Sequence, residues 1–416
     1  MNNFGFKSYN SWDKLKKVMV GNVFPKGFFE DYHDKKVADV MTKVNEETRE
    51  DLDYFCKVLT ESYGVEVYRM PDACVTDKKR YESVTEFVEY EGYIPRPFNT
   101  PRDDQIIFGE KLLTGKTDSV FRKWNKRKID EQNIFNQDDY APWAGCDDYI
   151  DLGDANEELN IIKECQALNL KSNPNKGKGF VISWPSIMRT GRDIMIDLHE
   201  FNGPTKVLVE WFKKFNEMYG YNFRINTTVM GGHTDAVLAL VRPGLLISHT
   251  NVNKYEETYP GWDVIKIDRK HNDHTSAWQE YRVAVKDEWR LNKKTPVADY
   301  WVAGEEQNEA LHKFIDLYMH PSVGACWETN FDVNCLSVNE NTVIASGPAK
   351  ELEDRLGKHK VDVVTCNMRH RFFWDGGLHC ATSDLEREGD CEDYFPERGD
   401  QGIAFGRLWG NNELRR

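Results

Sequence analysis

Cys380 stands in the stretch Asp375-Gly376-Gly377-Leu378-His379-Cys380-Ala381-Thr382, where a thiol follows two glycines and a histidine. The glycines permit a tight turn and a close approach to the backbone, and His379 makes the segment polar. Most cysteines are small buried apolar residues, so this segment needs partners before it means nucleophilic chemistry. Two upstream segments supply them. Met188-Arg189-Thr190-Gly191-Arg192-Asp193-Ile194-Met195-Ile196 and Val229-Met230-Gly231-Gly232-His233-Thr234-Asp235-Ala236-Val237-Leu238-Ala239-Leu240 each set an ionisable group against an apolar run that reads as a buried strand. Asp193, His233 and Asp235 are therefore expected at strand edges. Taken singly, Arg192 and Asp193 read more readily as a surface ion pair, and His233 as an ordinary loop histidine; three such sites in one chain shift the balance.

The order of these motifs resembles that of the arginine:glycine amidinotransferases and their guanidino-modifying relatives: Arg-x-Gly-Arg-Asp, then His-x-Asp-Ala with an apolar strand and Pro243-Gly244, then Gly-Gly-x-His-Cys. Ser8 to Asp13 running into Leu15 to Gly21 is similar to that family's first strand, and Pro101-Arg102-Asp103 ahead of Ile106-Ile107-Phe108-Gly109 is a fifth matching segment. The resemblance covers about residues 8 to 388. It implies a single α/β domain built as a five-bladed, pseudo-fivefold propeller of the pentein kind, with the site at its centre.

It also implies residue roles. Cys380 is the nucleophile, His233 the general acid and base, and Asp193 the carboxylate that orients His233. Asp103 and Asp235 hold a planar guanidinium through paired hydrogen bonds, with Asp104 an alternative to Asp103. The reaction implied is transfer of the amidino group of arginine to an amine through an amidino-cysteine intermediate, with no cofactor and no metal. A guanidino hydrolase or deiminase of the same fold is the alternative, and a non-catalytic guanidino-metabolite binding protein is the alternative of another class.

The outer pocket departs from the glycine-acting enzymes. Gly231-Gly232 replaces Pro-Met, Val252 stands where an arginine grips the donor carboxylate, Asp332 falls near a substrate-holding serine, and Ala381 replaces a tryptophan. Asp332 is thus expected to contact substrate, and the acceptor to be a larger amine than glycine.

The elements that must position these residues are legible as helix and strand pairs. Apolar positions from Lys36 to Tyr63 follow a helical period that stops at Gly64, and Val65 to Tyr68 alternates as a strand. The same change recurs with Val207 to Tyr219, Gly220 and Phe223 to Ile225, and again with Ala349 to Leu356 and Val361 to Val364. The chain is accordingly read as α/β. Residues 137–178 and 279–326 read as insertions, and 389–416 as a short C-terminal tail.

With 416 residues and no Ser/Pro/Gly-rich linker, one compact domain spanning 1–416 is expected. The net charge of −14, from 55 basic and 69 acidic residues, argues against a nucleic-acid partner and suits a cationic small-molecule donor. The N-terminus lacks the pattern of a signal peptide, and the apolar stretch from Ala236 to Ile247 is too short to span a bilayer. The nine cysteines include no Cys-x-x-Cys pair, which fits reduced thiols and a cytoplasmic location. His271-Asn272-Asp273-His274 is the one dense metal-like cluster and reads as a polar loop. Homo-oligomerisation is left open.

Overall fold

The helical period of the first long segment folds as the helix Lys35–Lys57, extended by a π-helical turn over Val58–Ser62. Asp34 caps its start by accepting from the backbone N–H groups of Lys36 and Val37 at 3.0 and 3.3 Å. Val37, Met41, Val44, Leu52 and Phe55 lie on its buried face. Gly64 ends the segment at φ 65°, a conformation that glycine adopts without steric cost. In this computed structural model the described residues are 6–70, 72, 74–75, 80–86, 94, 97–103, 105–114, 184–199, 205–230, 233–267, 302, 304–305, 308–319, 331–374 and 376–408.

The strands fall into one repeated pattern: an antiparallel hairpin, a helix, and a third strand that returns parallel to the second strand of the hairpin. Strands β7 (Ile187–Thr190) and β8 (Asp193–Asp197) pair antiparallel; the helix Thr205–Tyr219 follows, and β9 (Arg224–Val229) pairs parallel to β8. The same arrangement holds for β10 (Leu238–Arg242), β11 (Leu245–His249), the helix Tyr255–Thr258 and β12 (Asp263–Ile267). It recurs in β13 (Leu336–Asn339), β14 (Thr342–Ala345), the helix Lys350–Lys358 and β15 (Asp362–Thr365).

A fourth copy is assembled from both ends of the chain. β1 (Leu15–Val20) pairs parallel with β2 (Glu66–Arg69), while its antiparallel partner is β16 (Thr382–Arg387). A further hairpin joins β5 (Gln105–Phe108) to β6 (Lys111–Thr114), and the short pair β3 (Cys74–Val75) and β4 (Arg80–Tyr81) stands apart.

Neighbouring units share their apolar interiors. Ile106, Phe108 and Leu113 of the β5–β6 hairpin cluster with Ile187, Ile194 and Ile196 of the next unit, and Met188 and Met195 cluster with Leu238, Leu240 and Leu246 of the one after. Ala239 and Val241 join Val343 and Ala345, and Leu336, Val338 and Ile344 join Leu15, Val18 and Val20. The first sheet then meets the β5–β6 hairpin, where the Ser8 N–H donates to Gly109 O at 2.8 Å. Each unit leaves one apolar face that it cannot cover alone, so burial ties it to both neighbours.

The segment read as a tail also enters the fold. β17 (Ala404–Arg407) adds a parallel strand to β9, extending that sheet to four strands. Residues 137–178 lie outside the described residues, as do Asp104, Gly231, Gly232 and the His271 to His274 cluster. Of 279–326, the described part includes the helix Glu309–Tyr318, which packs against Lys35–Lys57. No described helix is long and apolar enough to cross a membrane.

Candidate active site

The ionisable and polar residues of interest sit just ahead of the first strand of different hairpins. Asp103 is two residues before β5, Asp235 three before β10, Asn334 two before β13 and Cys380 two before β16. Repetition of one local structure thus delivers one such side chain from each of four units. Asp103 ends the 3-10 turn Pro101–Asp103, and Asp235 lies within the 3-10 turn Thr234–Ala236, whose N-cap is His233. The turn Trp184–Ser186, ahead of β7, packs against both.

Three of these turns converge on Cys380, which is 4 % exposed. Its Sγ lies 3.4 Å from Asp235 Oδ2, and the same carboxylate oxygen accepts from His379 Nδ1 at 2.8 Å. From a third unit, Asn334 Nδ2 donates to Sγ at 2.9 Å. Thr100 abuts the same turn: a Cβ on Gly376 would meet Cys380 Cβ at 3.2 Å and Thr100 Cγ2 at 3.3 Å. The Thr100 hydroxyl in turn donates to Asp103 Oδ2 at 2.8 Å, linking that carboxylate to the nucleophile's turn.

Burial alone would raise the Asp235 carboxyl, but the His379 hydrogen bond and the positive groups of His379, His233 and Arg102 hold it below the usual carboxylate range. His379 is lowered by burial and by Arg102, against the opposing pull of Asp235. The pair is therefore an ionised Asp235 hydrogen-bonded to His379 Nδ1. A carboxylate can only accept, so His379 carries a proton on Nδ1. Asp235 Oδ1 is buried without a hydrogen-bond partner, a lone pair of acceptor sites beside the sulfur.

A second layer anchors this turn. Arg102 Nε donates to His379 O at 2.8 Å, and its Nη2 to Asp384 Oδ1 at 2.5 Å. Asp384, in β16, also accepts from Arg189 at 2.7 Å and Arg387 at 2.9 Å. Burial opposes its ionisation, yet three guanidinium groups hold its carboxyl well below the ordinary range. The arginines of Pro-Arg-Asp and Arg-x-Gly-Arg-Asp therefore include two that brace the strand behind Cys380.

The structure does not bring Asp193 to His233. Asp193 Oδ1 accepts from Asn226 at 2.8 Å and Arg398 at 2.9 Å, and Oδ2 from Arg224 at 2.5 Å. Arg224 also pairs with Asp393, so the carboxylate expected to orient an imidazole instead ties β8 and β9 to the 393–407 segment. Nor do Arg192 and Asp193 pair with each other, since Arg192 reaches Asp393 and Asp400.

Asp332 is half-buried, and its charged neighbours are Arg371, which favours ionisation, and Glu351, which opposes it. Desolvation prevails and raises its carboxyl to about 6. Val252 is fully buried in the core, and Ala381 belongs to another core cluster. Among the described residues, no group of three or more His, Cys, Asp and Glu side chains is arranged to hold a metal ion.

Asn334 and the pairing of His379 with Asp235 were not anticipated from the sequence. Asn334 precedes an apolar strand as Asp235 does, and that shared position is the signal that could have found it.

No protein-family model and no curated protein matches the chain. Among solved structures it is similar to SxtG, an amidinotransferase from Microseira wollei in the saxitoxin biosynthetic pathway, with a TM-score of 0.56 and 18% identity over 94% of this chain and 99% of that one. It is similarly related to the inosamine-phosphate amidinotransferase of Streptomyces griseus, with a TM-score of 0.56, 16% identity and the same coverage. The chain has the fold of these amidinotransferases.

Proposed function

We propose that this protein is an amidinotransferase that moves the amidino group of arginine to an amine through a covalent adduct on Cys380. The carrying observation is the placement of Cys380 Sγ 3.4 Å from a buried, ionised Asp235, within a fold shared with two amidinotransferases over nearly the whole chain. A buried carboxylate with one unpartnered oxygen next to a thiol is suited to a planar cation held against sulfur.

In this reading Asp235 and Asp103 grip the N–H edges of the guanidinium, and the bound positive charge favours the Cys380 thiolate. Sulfur attacks the central carbon to form a tetrahedral adduct. His233 gives a proton to the leaving amine, the C–N bond breaks and ornithine departs, leaving an amidino group on sulfur. An acceptor amine then attacks that carbon, gives a proton to His233, and expels the thiolate. We further infer that the repeated units form the five blades of a closed propeller, because each shares its apolar interior with the next and the first sheet joins the two chain ends. The free thiols of the described cysteines suit a cytoplasmic location.

The test is incubation with arginine, with and without amines, followed by intact mass and peptide mapping. An amidino group on the Cys380 peptide and amine-dependent release of ornithine support transfer. Urea or citrulline formed at the same rate without any amine replaces it with hydrolysis or deimination, and no adduct under turnover removes the covalent mechanism.

A further inference from the structure

The side chain of Asn334 is fully buried and meets the nucleophile at two atoms: its Oδ1 accepts from the Cys380 backbone N–H at 3.0 Å and its Nδ2 lies 2.9 Å from Cys380 Sγ. The amide orientation follows from hydrogen-bond chemistry. The backbone N–H can only donate, so the amide oxygen faces it and the NH2 group is turned to sulfur. The Asn334 main chain joins in as well, its carbonyl accepting from His379 N at 3.4 Å. Gly377 makes this approach feasible. A Cβ there would lie 2.7 Å from Asn334 O and 2.8 Å from both Cβ and Oδ1, so any side chain would drive Asn334 away from the turn. The second glycine of the motif thus makes room for an asparagine from another unit of the fold.

We propose that Asn334 is a positioning residue for the nucleophile, clamping Cys380 by its backbone and donating a hydrogen bond to sulfur that favours the reactive thiolate. This deepens the amidinotransferase reading and rests on Cys380 being the nucleophile. The charged and titratable groups around the sulfur do not make such a donor redundant. Asp235 at 3.4 Å is ionised and opposes a second negative charge, and the Nδ1 proton of His379 is committed to Asp235. Arg102 and Asp384 lie behind the His379 carbonyl, where they offset one another, and His233 acts on Asp235. A donor aimed at sulfur lowers the cost of the thiolate directly.

The measurement is the rate of alkylation of Cys380 by iodoacetamide against pH, read by mapping the Cys380 peptide in the full-length protein. Asn334→Asp keeps an oxygen for the Cys380 N–H but puts a carboxylate oxygen against sulfur; Asn334→Ser removes the reach to sulfur without adding charge. Both are expected to shift the midpoint to higher pH and slow alkylation at neutral pH roughly tenfold or more, the scale of a hydrogen bond to a charged group. A merely structural asparagine leaves the profile of Asn334→Ser at the wild-type position, and that result overturns the proposal. Should both variants fail to fold, the wild-type profile decides: a midpoint at or below the ordinary thiol value of about 8.5 supports the clamp, and one above it refutes the clamp. Alkylation requires no amidino donor, so a shifted profile with no transfer activity would defeat the proposed function alone.

Discussion

Asp235 Oδ2 is shared between His379 Nδ1 at 2.8 Å and Cys380 Sγ at 3.4 Å, so one buried carboxylate oxygen links the Cys380 thiol to the imidazole beside it in the chain. The second oxygen has no hydrogen-bond partner. Such an arrangement keeps a negative charge at the sulfur and leaves acceptor capacity for an incoming cation.

Asp235→Asn is therefore expected to keep the shape of the turn, since an amide oxygen can still accept from His379, while losing the counter-charge. Steady-state kinetics should show kcat/KM for arginine down by about a hundredfold or more, with KM raised, because hydrogen bonds to charged groups are each worth about 1.5–3 kcal/mol. An unchanged KM would remove Asp235 from donor binding.

Cys380→Ala should abolish transfer while the protein still binds arginine, because the carboxylates are untouched. Calorimetric titration of the variant with arginine tests this. Residual turnover at the wild-type rate would place the nucleophile elsewhere.

Asp193 is expected to act on stability. Asp193→Ala leaves Arg224, Asn226 and Arg398 facing a buried gap and should cost about 3 kcal/mol, the scale for breaking a buried ion pair. Hydrogen exchange should quicken across 393–407, while the arginine KM at low temperature stays near wild type. A large loss of kcat with an unchanged melting temperature would instead restore Asp193 to the catalytic machinery.

Asp332 gives a pH test with a defined sign. Its carboxyl is raised to about 6 in the fold, above the value near 3.8 of an unperturbed carboxyl, so the folded state binds the extra proton between those pH values. Its contribution to stability is fully present below about 3.8 and is lost as pH rises through about 6. Asp332→Asn should accordingly be more stable than wild type at pH 8, by about 1 kcal/mol after allowing for partial exposure, with the advantage fading toward pH 4. Denaturant melts at the two pH values check this, and a variant less stable at pH 8 would contradict it.

The acceptor is expected to be a larger amine than glycine, with Asp332 supplying a negative charge suited to an amine-bearing substrate. Competition among glycine, lysine, ornithine and diamines for labelled arginine decides it. Dominance of the glycine product would end this expectation.

Much of the site was legible in the chain itself. The two glycines ahead of Cys380 and the apolar run after Asp235 single those residues out, because turn chemistry and strand pattern are local and survive in sequence, whereas Asp103 is singled out through the family resemblance of Pro101-Arg102-Asp103. Helix stops at Gly64 and Gly220, both at positive φ, were visible for the same reason. The fate of an individual carboxylate was not. Asp193 and Asp235 look alike as acids beside buried strands, yet Asp193 is claimed by Arg398, 205 residues away, and Asp235 by His379, 144 residues away. Likewise the place of Asn334 ahead of an apolar strand marks it as a hairpin leader but does not say that it meets a cysteine 46 residues on. Local sequence determined which segments turn and which side chains lead each hairpin, because those choices depend on propensity and pattern. Which of those side chains meet was decided only when the units packed against one another, because hydrogen bonds and charges act over a few ångströms, whatever the distance along the chain.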